Sequence, residues 1–371
     1  MQEERKMILK MIEDGKISTD EGLQLLNALK ENDKTTTPDT EEEPSVSDSP
    51  TRAVSKDVDW RNAQGYRGKE RQNSFASRFT DFVEDAVQKI KEFDLDFNFG
   101  SSVEIEHIFQ HTNASVQDVD VSVENGSVTF RPWEEKDIRV ECNVKVYKVK
   151  DADEARRFFL DEVIFDLKEN KLKLKSPSKS MKVNTIIYIP KADLNRVKLY
   201  AFNGKVSGES VEASTFEVQT VNGRVGFEKI EGKDVRLETV NGTISVSKLS
   251  VEHCDAKTVN GTIAISTSEG VVDVETLNGT INYTLLEPKA SRAYFKTTTG
   301  SVVVNVPNDV KVEGDLKTTV GGINCDLPKL TVIDEKKDWA NKQMSFLANK
   351  EATTSFYVEA EATTGSITIK N

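Results

Sequence analysis

The sequence has 371 residues, 37% of them apolar and 30% charged, and a formal net charge of −12 at pH 7. This length accommodates two domains or one long domain with a sizeable core. The acidic balance argues against a nucleic-acid partner, because phosphate binding needs a basic face.

Targeting and redox signals favour the cytoplasm. No stretch approaches the roughly 18 apolar residues of a membrane-spanning helix. The amino terminus is charged from Glu3 to Lys6, so we expect no cleavable signal. The three cysteines, Cys142, Cys254 and Cys325, lack the spacing of metal ligands, and an odd number without a signal is typical of a cytoplasmic protein. A peripheral position at the inner face of the membrane, and association with the cell surface, are left open.

Residues 1–30 predict a small helical hairpin. Apolar residues recur at helical spacing on both sides of a break at Asp14-Gly15, and Ser18 or Thr19 caps the second helix. A module of this size buries too little apolar surface to be stable alone, so we predict that it binds a protein partner or associates with itself. The predicted contact residues are Met7, Ile8, Met11, Ile12, Leu23 and Leu26.

Residues 31–72 predict a disordered acidic linker. They are rich in Glu, Asp, Thr, Ser and Pro and have almost no apolar periodicity. Such a segment cannot bury enough apolar surface to offset the entropy cost of folding.

Residues 73–99 contain an amphipathic helix. Its apolar side comprises Phe75, Phe79, Phe82, Val83, Ala86, Val87, Ile90 and Phe93. We predict that it caps one end of the repeat domain that follows, since the last coil of a repeat structure exposes apolar interior and unpaired backbone. A partner's groove and a membrane surface are the alternatives. Acidic residues outnumber basic ones on its polar side, so an anionic bilayer would repel it.

Residues 100–371 form a repeat domain in which Asn-Gly recurs at steps of 19, 19, 19 and 18 residues. Each pair is preceded by alternating apolar residues and a Thr, and followed by a β-branched residue. The full copies are centred on Asn203-Gly204, Asn222-Gly223, Asn241-Gly242, Asn260-Gly261 and Asn278-Gly279, and weaker ones on Asn125-Gly126, Gly300 and Gly365. A fixed period of this length indicates one structural unit stacked on copies of itself.

The repeat predicts a mainly β fold, a parallel β-helix (β-solenoid) of about 19-residue coils. Each Asn-Gly is then a corner where a left-handed backbone is tolerated, whereas in a β-meander it would be a hairpin turn. Equivalent residues lie about 4.8 Å apart in a solenoid, and charges at equivalent positions alternate in sign at most steps. Asn222, Asn241, Asn260 and Asn278 should also stack as an amide ladder. About four periods separate Asn125 from Asn203, which predicts degenerate coils between them.

Two insertions interrupt the β pattern. Apolar residues at helical spacing predict a helix at 152–163, across the flank of the solenoid. A second helical insertion is predicted near 334–348, where Trp339, Met344, Phe346 and Leu347 cluster. It forms either a cap for the carboxy-terminal end or an exposed recognition patch.

Residues with catalytic or metal-binding chemistry are few. Asp255, Asp273 and Glu275 would be stacked neighbours on one outer face, the arrangement that a carbohydrate-active β-helix needs. Exposed acids in strands of alternating charge are more typical of a solvated face. His107 and His111 alternate as strand residues would, which places them too far apart to share a metal. We therefore predict no catalytic residue, metal or cofactor.

The sequence resembles a known family. Glu13 to Ser18 followed by Leu25-Leu26 is similar to the amino-terminal helical module of YvlB- and LiaX-like proteins of Gram-positive bacteria. Ile187 to Lys191, followed by the Thr-Val-Asn-Gly repeats, is similar to their "putative adhesin" β-repeat domain. The resemblance implies a β-helical cell-envelope stress protein acting near the membrane, and it brings no catalytic residue.

Together these features predict a non-enzymatic scaffold or sensor that acts by protein-protein contact. Its expected partners are membrane-associated envelope-stress proteins. A surface adhesin or cell-wall glycan-binding protein is the first alternative, and a β-helix carbohydrate-active enzyme is the second.

Overall fold

The computed structural model describes residues 69–92, 101–191, 194–287, 289, 291–338 and 341–371. The predicted helical hairpin, its contact residues and nearly all of the linker lie outside the described residues. The two helices are α1 (Lys69–Glu92) and α2 (Ala152–Glu162). Helix α1 begins before residue 73, so the last residues assigned to the linker are helical.

The described strands number 21. The first half comprises β1 (Ser102–His111), β2 (Asp118–Asn125), β3 (Val128–Trp133), β4 (Ile138–Tyr147), β5 (Ile164–Lys168), β6 (Lys171–Ser176), β7 (Met181–Pro190), β8 (Leu194–Asn203), β9 (Val206–Asn222), β10 (Val225–Asn241) and β11 (Ile244–Asn260). The second half comprises β12 (Ile263–Asn278), β13 (Ile281–Leu285), β14 (Ser291–Thr299), β15 (Val302–Asn305), β16 (Lys311–Val320), β17 (Ile323–Asp326), β18 (Thr331–Asp338), β19 (Asn341–Ala348), β20 (Ser355–Thr364) and β21 (Ile367–Lys370).

Parallel pairing of successive repeats confirms the predicted solenoid. Strands β9 to β12 each occupy most of one coil and pair with the next strand along the chain in parallel. Thr220 lies opposite Thr239, and Thr239 opposite Thr258. A meander would pair neighbouring strands antiparallel, so the Asn-Gly pairs are corners of coils and not hairpin turns.

The Thr of the repeat links one coil to the next. Thr239 is fully buried although it is polar. Its hydroxyl donates to the carbonyl oxygen of Gly223 in the preceding coil at 3.1 Å, and Thr258 does the same to Gly242 at 3.2 Å. A buried hydroxyl needs such a partner. The motif therefore places a side-chain donor where each corner carbonyl faces the interior.

The corner glycines form a continuous column in which no side chain fits. A Cβ added at any member would lie 1.7 to 2.0 Å from a backbone oxygen of the neighbouring coil. The members, in spatial order, are Gly126, Gly204, Gly223, Gly242, Gly261, Gly279, Gly300, Gly365 and Gly321. Only Gly126, Gly261, Gly300 and Gly365 have a left-handed φ. The predicted left-handed corner is therefore wrong for the other members, and close approach of the backbone is the shared requirement.

Coils at both ends are stacked out of chain order. Asn125 lies directly opposite Asn203, because β2 pairs with β8 and β3 with β9. The prediction of degenerate coils between these two asparagines is therefore wrong. Residues 134–191 instead build the amino-terminal end beyond the β2 coil. The last coil, β20 and β21, likewise inserts between the β14 and β16 coils.

Antiparallel strands cover the two ends. Strand β4 pairs with β7 and β1 with β4 at the amino-terminal end, and β5 pairs with β6. At the other end β19 pairs with β16 and β18 with β19. Strands satisfy the open backbone hydrogen bonds of an end coil, which a helix cannot do. The prediction that the amphipathic helix caps an end is therefore wrong.

The second predicted insertion is also different in structure. Residues 334–338 and 341–348 lie in the antiparallel strands β18 and β19, so a helical insertion there is wrong, and Trp339 lies outside the described residues. Met344, Phe346 and Ala348 are buried with a period of two, and they extend the apolar interior of β16. By contrast, α2 lies within the range predicted for the first insertion. The side chain of Asp151 caps it by accepting from the backbone N–H of Glu154 at 2.8 Å.

The glycine column yields a stability prediction. Gly242→Ala should destabilise the fold by about 3 kcal/mol or more, because its Cβ would meet the Gly223 carbonyl oxygen at 1.9 Å and the backbone must shift. Urea unfolding measures the change. The matched control is Gly226→Ala, whose Cβ would meet only the Arg224 side chain at 3.5 Å. Equal midpoints for the two variants would contradict the column's steric role.

Candidate interaction surface

A regular surface of the solenoid is formed by side chains that point outward from the strands before the five full Asn-Gly copies. We call this surface the outer face. Its polar row, four residues before the glycine of each copy, contains Tyr200, Gln219, Glu238, Lys257 and Glu275. Its apolar row, two residues before the same glycine, contains Phe202, Val221, Val240, Val259 and Leu277. Both rows cross successive coils in register.

Polar side chains of the outer face pair with one another along the coils. Gln219 Nε2 donates to Glu238 Oε2 at 2.7 Å, and Lys257 Nζ lies 3.2 Å from Glu275 Oε2. In the adjacent row, Arg236 Nη1 lies 3.8 Å from Glu217 Oε1. Alternation of charge between coils, seen in the sequence, thus becomes a ladder of hydrogen bonds and ion pairs.

Helix α1 packs on this face. Phe82 and Ala86 form a small apolar cluster with Phe202, Val221 and Val240. The exposed fraction along the apolar row rises from 1% at Phe202 and 0% at Val221 to 7% at Val240 and 42% at Leu277. Coverage therefore ends within the row, and the helix lies along the flank of the solenoid.

Polar contacts fix the direction of α1 across the coils. Near one end, Lys89 Nζ lies 2.8 Å from Glu124 Oε1 in β2 and 3.2 Å from the Tyr200 hydroxyl in β8. Ten residues earlier, the Phe79 ring lies 5.9 Å from Lys257 Nζ in β11. The helix thus runs against the order in which these coils follow one another. One helical turn of about 5.4 Å is close to one coil spacing of about 4.8 Å, so successive turns meet successive coils.

Lys89 is the polar anchor of this contact. Burial acts to lower its pKa, but the hydrogen bonds with Glu124 and Tyr200 and their charges outweigh burial and raise the pKa above 10.5. For Tyr200 burial acts in the opposite direction and is the main cause of its raised pKa. The ammonium lies 4.9 Å from the centre of the Tyr200 ring, within the range of a cation–π contact.

A groove of about 480 Å³ is lined by α1 on one wall and by strands of the solenoid on the other. Its helix wall carries Arg78, Asp81, Phe82, Asp85, Ala86 and Lys89, and its strand wall carries Asp120, Ser122, Lys175, Lys198, Tyr200 and Gln219. Charges of both signs face each other there, which makes the groove a polar cleft.

The three candidate acids also lie on the outer face. Asp255 is opposite Asp273, and Glu275 is opposite Lys257 in the parallel pairing of β11 and β12. Burial, followed by the charge of Asp273, raises the pKa of Asp255 from 3.8 to about 6. Within the described part of the chain, no group of three or more His, Cys, Asp or Glu residues is arranged to hold a metal ion.

The two histidines lie on β1, as their alternation predicted. The His107 ring is 4.4 Å from the Phe109 ring and 5.5 Å from the Phe159 ring of α2. Desolvation by burial, aided by Arg156, lowers the pKa of His107. These contacts make His107 part of an aromatic cluster at the amino-terminal end of the solenoid.

The asparagine corners form the predicted ladder. The side-chain amide of Asn222 donates to Asn203 at 2.9 Å, and the same contact joins Asn241 to Asn222, Asn260 to Asn241 and Asn278 to Asn260 at 2.9 to 3.0 Å. The rungs are exposed along one edge of the outer face. Their position supports a structural role for the corners.

The docking site of α1 was not predicted from the sequence. The available signal was the apolar row itself, since five successive coils place an apolar residue where the strand alternation points outward. An outward apolar row on a soluble repeat indicates a covering element. Neither of the helices in the described residues is long and apolar enough to cross a membrane.

Comparisons with known proteins agree with this architecture. Residues 116–370 match the model of the family described as Toastrack DUF4097, and residues 3–34 match a SHOCT-like domain. The chain is 40% identical to the uncharacterized protein YvlB of Bacillus subtilis strain 168 over 370 residues, which is 100% of this chain and 99% of that protein. The resemblance to YvlB-like proteins is confirmed.

Solved structures with similarity to the chain include two described as "putative adhesin". One is from Bacteroides fragilis, with 11% identity, a TM-score of 0.33, and coverage of 71% of this chain and 97% of that one. The other is from Parabacteroides distasonis, with 10% identity, a TM-score of 0.36, and coverage of 71% and 97%.

The stacked acids yield a pH prediction. Because the folded pKa of Asp255 is raised, its contribution to stability is fully present below pH 3.8 and is lost as the pH rises through about 6. Asp255→Asn should therefore be more stable than the parent chain at pH 7.5, by about 1–3 kcal/mol. The advantage should shrink as the pH falls towards 4.

Urea unfolding at several pH values measures this difference. Glu252→Gln is the control, since it removes the same charge at an exposed position of the same strand. If Asp255→Asn destabilises the fold at pH 7.5, burial and the charge of Asp273 do not penalise the ionised Asp255 carboxylate as predicted.

Proposed function

Because this chain belongs to the Toastrack DUF4097 family, we propose that it is a non-enzymatic scaffold or sensor of the bacterial cell-envelope stress response. It acts by protein-protein contact, in the cytoplasm near the inner face of the membrane. The observation that carries the proposal is the outer face, a rigid array of side chains at fixed spacing that runs across successive coils.

Charge pairing on this face supports a binding role. The polar row consists of side chains that satisfy one another from coil to coil, such as Gln219 with Glu238 and Lys257 with Glu275. A catalytic centre instead gathers reactive groups around one reacting atom. An extended array of paired charges is suited to recognising a surface of complementary pattern.

The amino-terminal module supplies the second contact in this proposal. Residues 3–34 match a SHOCT-like domain, and the acidic segment after it separates the module from the solenoid domain. Two binding modules joined by a tether raise the effective concentration of one partner near the other. The module engages a membrane-associated stress protein while the solenoid holds another partner or a second copy.

Removal of the amino-terminal module tests whether this module and the solenoid bind different partners. We expect residues 69–371 to keep the β domain folded and to lose a membrane-protein partner that the full chain captures. Crosslinked pull-downs from membrane and soluble fractions compare the two forms, and circular dichroism checks the fold.

A substitution in the full chain sharpens the test. Leu26→Asp should remove the same partner, because it places a charge on the predicted apolar side of the hairpin. Thr35→Asp introduces the same charge outside that side and should retain the partner. If both truncation and Leu26→Asp leave the partner set unchanged, recognition lies on the solenoid. Cell-wall glycan binding and surface display then become the leading alternatives.

A further inference from the structure

Helix α1 buries charged side chains of the outer face. Glu238 is 3% exposed and Lys257 is 7% exposed, although both point outward from the solenoid. Their partners lie on the same face: Gln219 and Glu275 are on neighbouring coils, and Arg236 is on the same strand as Glu238. Desolvating charges disfavours a cover, even where the charges are paired. Burial of Glu238 and Lys257 therefore costs free energy, which disfavours the docked position of α1.

The apolar contact that favours docking is small. In the part of α1 whose side chains are described, residues 78–90, Phe82 and Ala86 are buried, and Phe79 and Val83 pack beside them while partly exposed. Val87 and Ile90 remain 42% exposed each. The interior of the coils, by contrast, is closed by residues that are 0% exposed in every coil from β8 to β12. Docking of α1 is thus weaker than the fold that it covers.

An ion pair anchors the end of α1 that leads to the solenoid. Lys89 Nζ contacts Glu124 Oε1 at 2.8 Å, while the second carboxylate oxygen of Glu124 is buried and has no hydrogen-bond partner. Removing Lys89 would leave a buried carboxylate without its counter-ion, which is strongly unfavourable. This pair is therefore a latch whose strength decides how often α1 leaves the face.

The groove beside the latch shows that the contact is partly open. Asp81 and Asp85 stand on the helix wall, and Lys175 and Lys198 stand on the strand wall. The groove keeps these opposite charges on separate walls. Between the Phe79 and Lys89 contacts, Phe82 and Ala86 pack on the apolar row, and the groove lies beside this packed stretch.

From these observations we propose that α1 is a releasable strap. In the closed state it covers the apolar row from Phe202 to Val240 and the polar row from Gln219 to Lys257. In the open state the Lys89–Glu124 latch breaks, α1 leaves the face, and both rows become accessible while the coils stay folded. The occupant of the closed site is α1 of the same chain.

Release links the two modules of the protein. Helix α1 follows the acidic segment, so a load on the amino-terminal module acts first on the strap and not on the coils. This regulatory consequence rests on the proposed function. The existence of the strap does not rest on the proposed function, because release is a property of the isolated chain and is tested on that chain alone.

Amide hydrogen exchange of the full chain, followed by mass spectrometry, tests the strap. We expect amides of 78–90 to exchange faster than those of β9 to β11 in the parent chain, since opening of α1 precedes unfolding of the coils. Lys89→Glu should accelerate exchange of α1 by about tenfold or more, because it places a second negative charge beside Glu124. The double variant Lys89→Glu with Glu124→Lys should restore slow exchange.

Lys317→Glu is the matched control for this experiment. It reverses the same charge at the Lys317–Glu361 pair, 3.2 Å apart, on coils that α1 does not cover in the described range. Exchange of α1 should stay at the parent rate in this variant.

Thiol labelling gives a second readout that a general loss of stability would not mimic. A cysteine at Val240→Cys, under α1, should react slowly in the parent background and faster with Lys89→Glu. Leu277→Cys occupies the same row beyond the cover and should react at one rate in both. Peptide mapping separates these thiols from Cys325.

Two results would overturn the proposal. One is exchange of α1 at the rate of the coils in the parent chain, which would make the helix a permanent part of the domain. The other is an unchanged labelling rate of Val240→Cys on latch reversal. A chain that shows release yet binds no envelope protein would keep the strap and remove the proposed function.

Discussion

The close approach of backbone at the glycine column sets the geometry of the whole solenoid. At each corner the carbonyl of one coil occupies the space that a side chain of the next coil would need. The Thr hydroxyl then donates to that carbonyl from inside, as from Thr239 to Gly223. Steric contact and hydrogen bond together fix the register between coils at one point per turn. All other positions follow from this register, because strand pairing propagates it along the coil.

A fixed register turns a one-dimensional sequence repeat into two-dimensional rows. Equivalent residues meet at the spacing of paired strands, so Asn forms an amide ladder and opposite charges form ion pairs. The fixed register also aligns each outward apolar residue with the equivalent residues of the neighbouring coils. Phe202, Val221 and Val240 thereby form a stripe that needs a cover, although each of them alone would be an ordinary surface residue.

These rows explain what could be predicted from the sequence. Period, parallel pairing and the asparagine ladder depend on local motifs, and each motif carries its own register, so they were predictable. The order in which coils stack at the ends was not predictable, because the motif around Asn125 is compatible with any neighbouring coil and does not specify Asn203. Strands β18 and β19 were misassigned as a helical insertion because the prediction rested on the clustering of large apolar residues and not on their period. Burial of Met344, Phe346 and Ala348 at a period of two is the signal that distinguishes the strand.

The extent of the α1 contact follows from a mismatch of two repeats. A helical turn advances about 5.4 Å and a coil about 4.8 Å, so a helix parallel to the solenoid axis falls out of step by about 0.6 Å per coil. Inclining the helix by about 27° restores the match, but an inclined helix drifts sideways off a straight row. Either way, a helix can follow the apolar row for a few coils only. Rising exposure from Val240 to Leu277 agrees with this limit. The mismatch therefore restricts the area that α1 can bury and keeps its docking weaker than the stacking of the coils beneath it.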